Sequence, residues 1–318
     1  MKKELGILTL LLVLCGVTAG INPSFLSTHN LTSNANLIGI YGIFGIGLGL
    51  IIITGGIDLS VGSMFALTGV LLPIALRDWN WPWPVALLAA IGLPMLLGAA
   101  HGVLITRMKI QPFIITLCGL MIYRSIARFI AKDSTKGFGE AEGFQTLKLL
   151  ATGRCFGVPN TFIILLVIAF IMWFVLHRST YGRYLFAVGR NEDATRFSGV
   201  NTKMLIGSTY VVAGLLTGIA GVLFAFYTNS ISPSIHGNSY ELYGIAAAVL
   251  GGCSLRGGEG SIVGILIGTA IFRVLQNLVI LLGIDSSLEF TVMGTVVLIG
   301  VLADQFFQNR AAKKTVRH

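Results

Sequence analysis

Ten apolar stretches separated by short polar or glycine-rich breaks organise this chain: 5–21, 36–54, 61–76, 84–105, 113–131, 160–176, 206–227, 240–252, 262–282 and 289–306. A helix needs about 20 apolar residues to cross a hydrocarbon core about 30 Å thick. In lipid a helix satisfies all its backbone groups within its own segment. The pattern therefore predicts an all-α integral membrane protein, one domain over residues 1–318 with about ten transmembrane helices. The eighth stretch is short. The first also reads as a secretory signal, with Lys2 and Lys3 ahead of an apolar core and Val17 and Ala19 at acceptable cleavage positions.

Composition agrees, with 54% hydrophobic residues and only 11% charged, where an ordinary soluble domain carries about 25%. Mean hydropathy is +0.84. The net charge of +9 is read as topology, since Lys and Arg concentrate in cytoplasmic loops, and no nucleic-acid partner is expected. With Met1 inside, 14 of the 22 basic residues fall on the cytoplasmic side, among them Arg107, Arg190, Arg196, Lys203 and Arg256. Four of the five placed outside lie in one long loop, 132–159, and Arg124, Arg128 and Arg273 fall within spans. Both termini are expected in the cytoplasm.

Several chemistries find no support. The four cysteines show no C-x-x-C spacing and the five histidines no H-E-x-x-H, so neither zinc nor a disulfide framework is indicated. No Ser/His pair or Asp pair stands at helical spacing, and no enzyme is expected. There is no G-x-x-x-x-G-K-[ST] loop to cradle ATP phosphates. The acids sit at or beyond span ends, Asp58, Glu241 and Glu259 coming nearest to the membrane, without an evident proton-relay partner. Any uphill transport needs energy from another subunit.

The longest cytoplasmic loop, 177–203, contains "NEDATRFSG", which predicts a short capped helix. Asn191 suits the N-cap, Glu192 and Asp193 the positive first turn, Arg196 the last turn, and Gly199 the left-handed position beyond it. A helix this short is marginal alone in water. It either lies on the membrane surface or receives a partner. Earlier, "GGIDLSVGS" at 55–63 interrupts an apolar run with one carboxylate, and "VLGGCSLRGGEGSIVG" follows at 249–264. Asp58 or Ser60 can cap the helix that begins near Val61, and this break reads either as a structural cap or as part of a cytoplasmic gate.

These three motifs, in order, resemble permease subunits of bacterial ABC importers of the ribose and simple-sugar type. The likeness covers roughly residues 35–305. "GGIDLSVGS" is similar to that family's signature throughout, and the second stretch to its G-G-x-S-L-x-G-G-x-G. "GRNEDATRFSGV" departs from the family loop at Arg190, where Gly is usual, and at Asp193, where Ala is usual. The resemblance implies a short cytoplasmic coupling helix between spans six and seven, contacting an ATPase through Asn191, Glu192, Ala194, Arg196 and Gly199. It implies signature or gate roles for Gly55, Gly56, Asp58, Ser60, Gly62, Ser63, Gly251, Gly252, Ser254, Gly257, Gly258 and Gly260. Partners follow likewise: a second permease, identical or not, an ATP-binding subunit with two nucleotide-binding domains, and a periplasmic or lipid-anchored sugar-binding protein. No cofactor belongs to this chain; ATP and Mg belong to the ATPase.

In the ninth span Arg273, Gln276 and Asn277 share a helix face. An Arg near a helix centre costs about 2.5 to 3.5 kcal/mol on insertion scales, so this face should turn to protein or to a wet cavity. It reads as a candidate translocation pathway, or as a subunit contact. Glycine pairs four apart (45/49, 98/102, 214/218, 264/268) favour close helix packing, and Trp79, Trp81 and Trp83 suit an interfacial belt. The function expected is the permease subunit of an ATP-driven importer of a simple sugar, in the bacterial inner membrane and surrounded by membrane lipid. The alternative is an ion-coupled secondary transporter or channel for a small polar solute.

Overall fold

A computed structural model describes residues 2–139 and 143–285, together with 288, 291, 292, 294, 295 and 298. Most of the tenth stretch and all of the C-terminal basic cluster lie outside the described residues. Eight helices among the described residues are long and apolar enough to cross a membrane. The helices are α1 (Lys2–Ile21), α2 (Thr28–Ile53), α3 (Val61–Pro73), α4 (Trp83–Met108), α5 (Pro112–Ala131), α6 (Gln145–Thr152), α7 (Asn160–Arg178), α8 (Thr180–Arg190), α9 (Glu192–Phe197), α10 (Thr202–Thr228), α11 (Tyr240–Leu250) and α12 (Ile262–Leu281).

The central element is α2. It starts eight residues before its apolar run because Ser27 caps it, accepting from the Asn30 amide. It is buried almost throughout its apolar length, against α7, α10, α11 and α12. Small residues let the bundle close. A Cβ on Gly47 would stand 2.8 Å from Ala213 Cα, and one on Gly102 2.9 Å from Gly207 Cα. Gly214 and Gly218 press likewise on the Pro94 and Ile91 backbone of α4. All four glycine pairs thus pack within this chain. Pro94 cannot donate to the Ala90 carbonyl, and Thr68 Oγ1 of α3 supplies that bond from 3.3 Å.

α1 packs on α12, where Ile7, Leu11 and Leu14 meet Ile271, Phe272 and Leu275. The segment after α5 folds over the end of α10. Lys136–Gly137 pairs antiparallel with Ser230–Ile231, and Phe138 stacks on Phe226 at 4.7 Å. The Arg128 fork binds Asp133 at 2.6 and 2.9 Å, holding that carboxyl below its usual range. Trp79 and Trp81 before α4, and Trp83 at its first position, stand half exposed.

Two helices begin inside the bundle. α11 has 11 residues, about 16 Å at 1.5 Å per residue, far short of a span. The missing length is the segment from Ile231 to Ser239, which packs beside Gly69 of α3 at its start and beside Gly62 by Gly237. It therefore descends seven residues of α3, about 10 Å, before α11 starts. The loop 54–60 enters from the other side. Asp58, between α2 and α3, and Glu241, on the first turn of α11, stand at helix ends as expected. Both are nonetheless covered by protein, at 2% and 7% exposure.

Candidate functional site

At the start of α3 the chain leaves α2 at Thr54, whose hydroxyl bonds the Ile51 carbonyl at 2.8 Å. Gly55 takes φ +81, which a Cβ would strain. Gly56 permits another close approach, since a Cβ there would meet Tyr210 Oη at 2.6 Å. Asp58 Oδ1 then accepts from the Ser60 amide at 2.8 Å and from Ser60 Oγ at 2.6 Å. Ser60 occupies the cap position without a side-chain cap bond; its hydroxyl is committed to Asp58. Ser63 Oγ turns back to the Ser60 carbonyl.

Around this loop stand groups that sequence reading missed. His101 Nε2 and Tyr123 Oη lie 2.7 Å apart, and Tyr210 meets the His101 ring edge-on. His101 Nδ1 and Tyr210 Oη are buried without a hydrogen-bond partner among the described residues. Spacing within one helix gives no hint of this cluster, whose members come from α4, α5, α10 and a loop.

Just beyond, Arg124 of α5 organises the descending segment. Its Nη1 donates to the carbonyls of Pro233 (2.8 Å) and His236 (2.7 Å), and its Nη2 to that of Gly237 (2.8 Å). Glu241, on the first turn of α11, is 7% exposed; a Cβ on Gly62 would collide with its Oε2. That oxygen has no hydrogen-bond partner among the described residues. Two helix N-termini, the positive ends of their dipoles, thus meet beside one buried carboxylate and one guanidinium. Rings of Tyr41, Phe44, Phe65, Phe224 and Tyr240 pack together behind them.

The α12 face lies deeper along α2. Arg273 is 8% exposed, with Nη1 3.3 Å from Gln276 Oε1. Asn277 exchanges two amide bonds with Asn30, at 2.8 and 2.9 Å. The structure therefore turns this face into the protein and makes Asn277 a tie between α12 and the start of α2.

At the end of α2 the three sequence motifs converge. The Gly258 amide donates to the Ile53 carbonyl at 2.8 Å. A Cβ on Gly257 would meet Gly189 O at 2.6 Å and Gly55 N at 3.0 Å, and one on Gly260 would meet Cys253 Sγ at 2.9 Å. Gly251 abuts Gly264 backbone to backbone, Gly252 takes φ +90, and Ser254 Oγ accepts from the Arg256 amide. Directly after α8 comes α9. Asn191 Oδ1 caps it from 2.8 Å, Gly199 takes φ +85, and Glu192 Oε1 accepts from Thr202 Oγ1 at 3.0 Å. Asp193, one of the two unusual loop residues, pairs with Arg196 at 2.8 Å; Arg190 packs its stem by Gly258. Ala194 and Arg196 are exposed, and Phe197 is 84% exposed. Tyr181 Oη ties α8 to Ser208 of α10 at 2.7 Å, and burial raises its phenol above the usual range.

Among the described residues no cluster of His, Cys, Asp or Glu could hold a metal ion.

Residues 30–302 match the family described as branched-chain amino acid transport system / permease component. The chain is 38% identical over 294 residues, 92% of its length and 91% of the relative's, to the ribose import permease protein RbsC of Escherichia coli K12. It is 36% identical over 304 residues to the RbsC protein of Bacillus subtilis, covering 95% and 93% of the two chains. The fructose import permease protein FrcC of Rhizobium meliloti is 31% identical over 313 residues, 96% and 85%. No solved structure matches.

Proposed function

This chain belongs to the branched-chain amino acid transport system / permease component family, and from that premise we propose how it opens a route for a simple sugar. It is a multi-pass inner-membrane permease subunit of an ATP-binding-cassette importer of the ribose type, working with an ATPase and a binding protein. The relatives named as import permeases favour this over an ion-coupled carrier.

Force enters at α9. Its exposed Phe197 and charged face dock on the ATPase, with Asn191, Glu192, Ala194, Arg196 and Gly199 forming or shaping the contact. One observation carries this reading: the elbow between α8 and α9 rests on both glycine signatures at once, through Gly189, Gly55, Gly257 and Gly258. A shift of α9 therefore moves the loop that starts α3 and the loop that joins α11 to α12. Closely packed interfaces respond by switching between discrete arrangements.

The route passes the junction of α3 and α11, with Gly62, Ser63, Glu241 and the Asp58–Ser60 turn on one wall and Arg273 and Gln276 of α12 on the other. Half-helix N-termini inside a membrane are suited to polar substrates, and buried acceptors with spare capacity suit hydroxyls. The segment 231–239, held by Arg124, closes the outer side. Two such chains, alike or different, face each other across the route. Proteoliposomes carrying the permease, ATPase and sugar-binding protein provide the test. Uptake that needs ATP inside and sugar-loaded binding protein outside is expected; accumulation by this chain alone against a gradient refutes the reading.

A further inference from the structure

A groove of about 470 Å³ opens between the carboxyl half of α4 and the amino half of α10, on the face of α4 opposite buried His101. Its floor is apolar, formed by Gly102, Val103, Gly207 and Val211; at its mouth stand Arg107 and Lys203. The trough exists because Gly102 and Gly207 bring the two helices to backbone contact and leave no side chain above the crossing. Both cations are exposed, and neither makes a salt bridge to a described residue.

The geometry points to a binding site for one anionic phospholipid, its phosphate between Arg107 and Lys203 and an acyl chain along the glycine floor. Val211 lies eight residues beyond Lys203, so the apolar trough runs about 12 Å from the charged mouth into the bilayer, the direction an acyl chain takes from its headgroup. Basic pockets between spanning helices at the cytoplasmic surface attract anionic headgroups, and each cation adds attraction there. The amino end of α10 adds its dipole to the same spot. A sugar gains nothing from this surface, which faces away from the helix junction described above.

Native mass spectrometry of the full chain in a neutral detergent tests the assignment, with phosphatidylglycerol and phosphatidylcholine added at equal concentration. Phosphatidylglycerol adducts should predominate. Replacing Arg107→Gln and Lys203→Gln together should lower phosphatidylglycerol retention by roughly 25-fold, about fivefold per cation, and leave phosphatidylcholine unchanged. Gly207→Leu should reduce both lipids, because a Cβ there meets Gly102 only at 3.9 Å and the added side chain fills the trough. Should that variant unfold, the double charge variant still decides. Phosphatidylglycerol retention unaltered by the charge changes overturns the site. So does equal competition by inorganic phosphate, or efficient disulfide coupling of two copies through Met204→Cys, which would give the groove to a second chain.

Discussion

Arg124→Gln should loosen the segment 231–239. The guanidinium donates three hydrogen bonds of 2.7 to 2.8 Å to the carbonyls of Pro233, His236 and Gly237. Hydrogen bonds from a charged group contribute about 1.5 to 3 kcal/mol each. Their naive sum overstates the effect, because Gln still reaches one carbonyl and water enters to serve the others. A net loss of about 3 kcal/mol is the sensible expectation, equal to roughly a hundredfold in an opening equilibrium. Hydrogen exchange of the permease in lipid nanodiscs measures this directly. Amides from 231 to 239 should exchange about a hundredfold faster, while those of the α2 core keep their protection. Unchanged exchange across 231–239 refutes the idea that Arg124 holds this segment. Equal acceleration everywhere means the substitution unfolds the bundle and that Arg124 has no local role.

Glu192→Lys removes the bond to Thr202 and puts positive charge at the start of α9, where the dipole disfavours it by about 0.3 to 1 kcal/mol; uptake should fall to background while membrane-fraction yield stays normal, and normal uptake counts against docking through α9. Gly56→Ala should lower the midpoint of thermal unfolding in detergent, overpacking against Tyr210 and Ile51 at about 1 to 3 kcal/mol, whereas Gly92→Ala, with open space around its Cβ, should not destabilise. Either Asn30→Leu or Asn277→Leu alone should cost about 1 to 3 kcal/mol by orphaning its partner amide. The double variant should be less destabilised than the sum, as a double-mutant cycle reads; simple additivity would contradict the reciprocal pair.

The spans were legible because lipid imposes the strongest constraint in the sequence: α4, α5, α7 and α12 fall within a few residues of their apolar stretches. The cap of α9 was equally legible, since Asn191, Glu192 and Gly199 act through local backbone chemistry. Depth was not. Asp58 follows one apolar run and Glu241 opens another, so the pattern places both at span ends and says nothing of how much protein covers them. Nothing local to "GGIDLS" announces that its loop turns inward. His101, Tyr123 and Tyr210 stayed hidden for a related reason: they lie on three different helices, and only the packing of α4, α5 and α10 makes them one cluster. The short eighth stretch was the visible sign that α11 starts inside.

The two-residue ladder between Lys136–Gly137 and Ser230–Ile231 couples the segment after α5 to the segment after α10. Ile231 is both the inner rung of that ladder and the first residue of the descending segment, so no slack separates them. A displacement of the 136–139 hook by one residue, about 3.3 Å, is therefore passed straight to the segment 231–239, so that the two move as one piece.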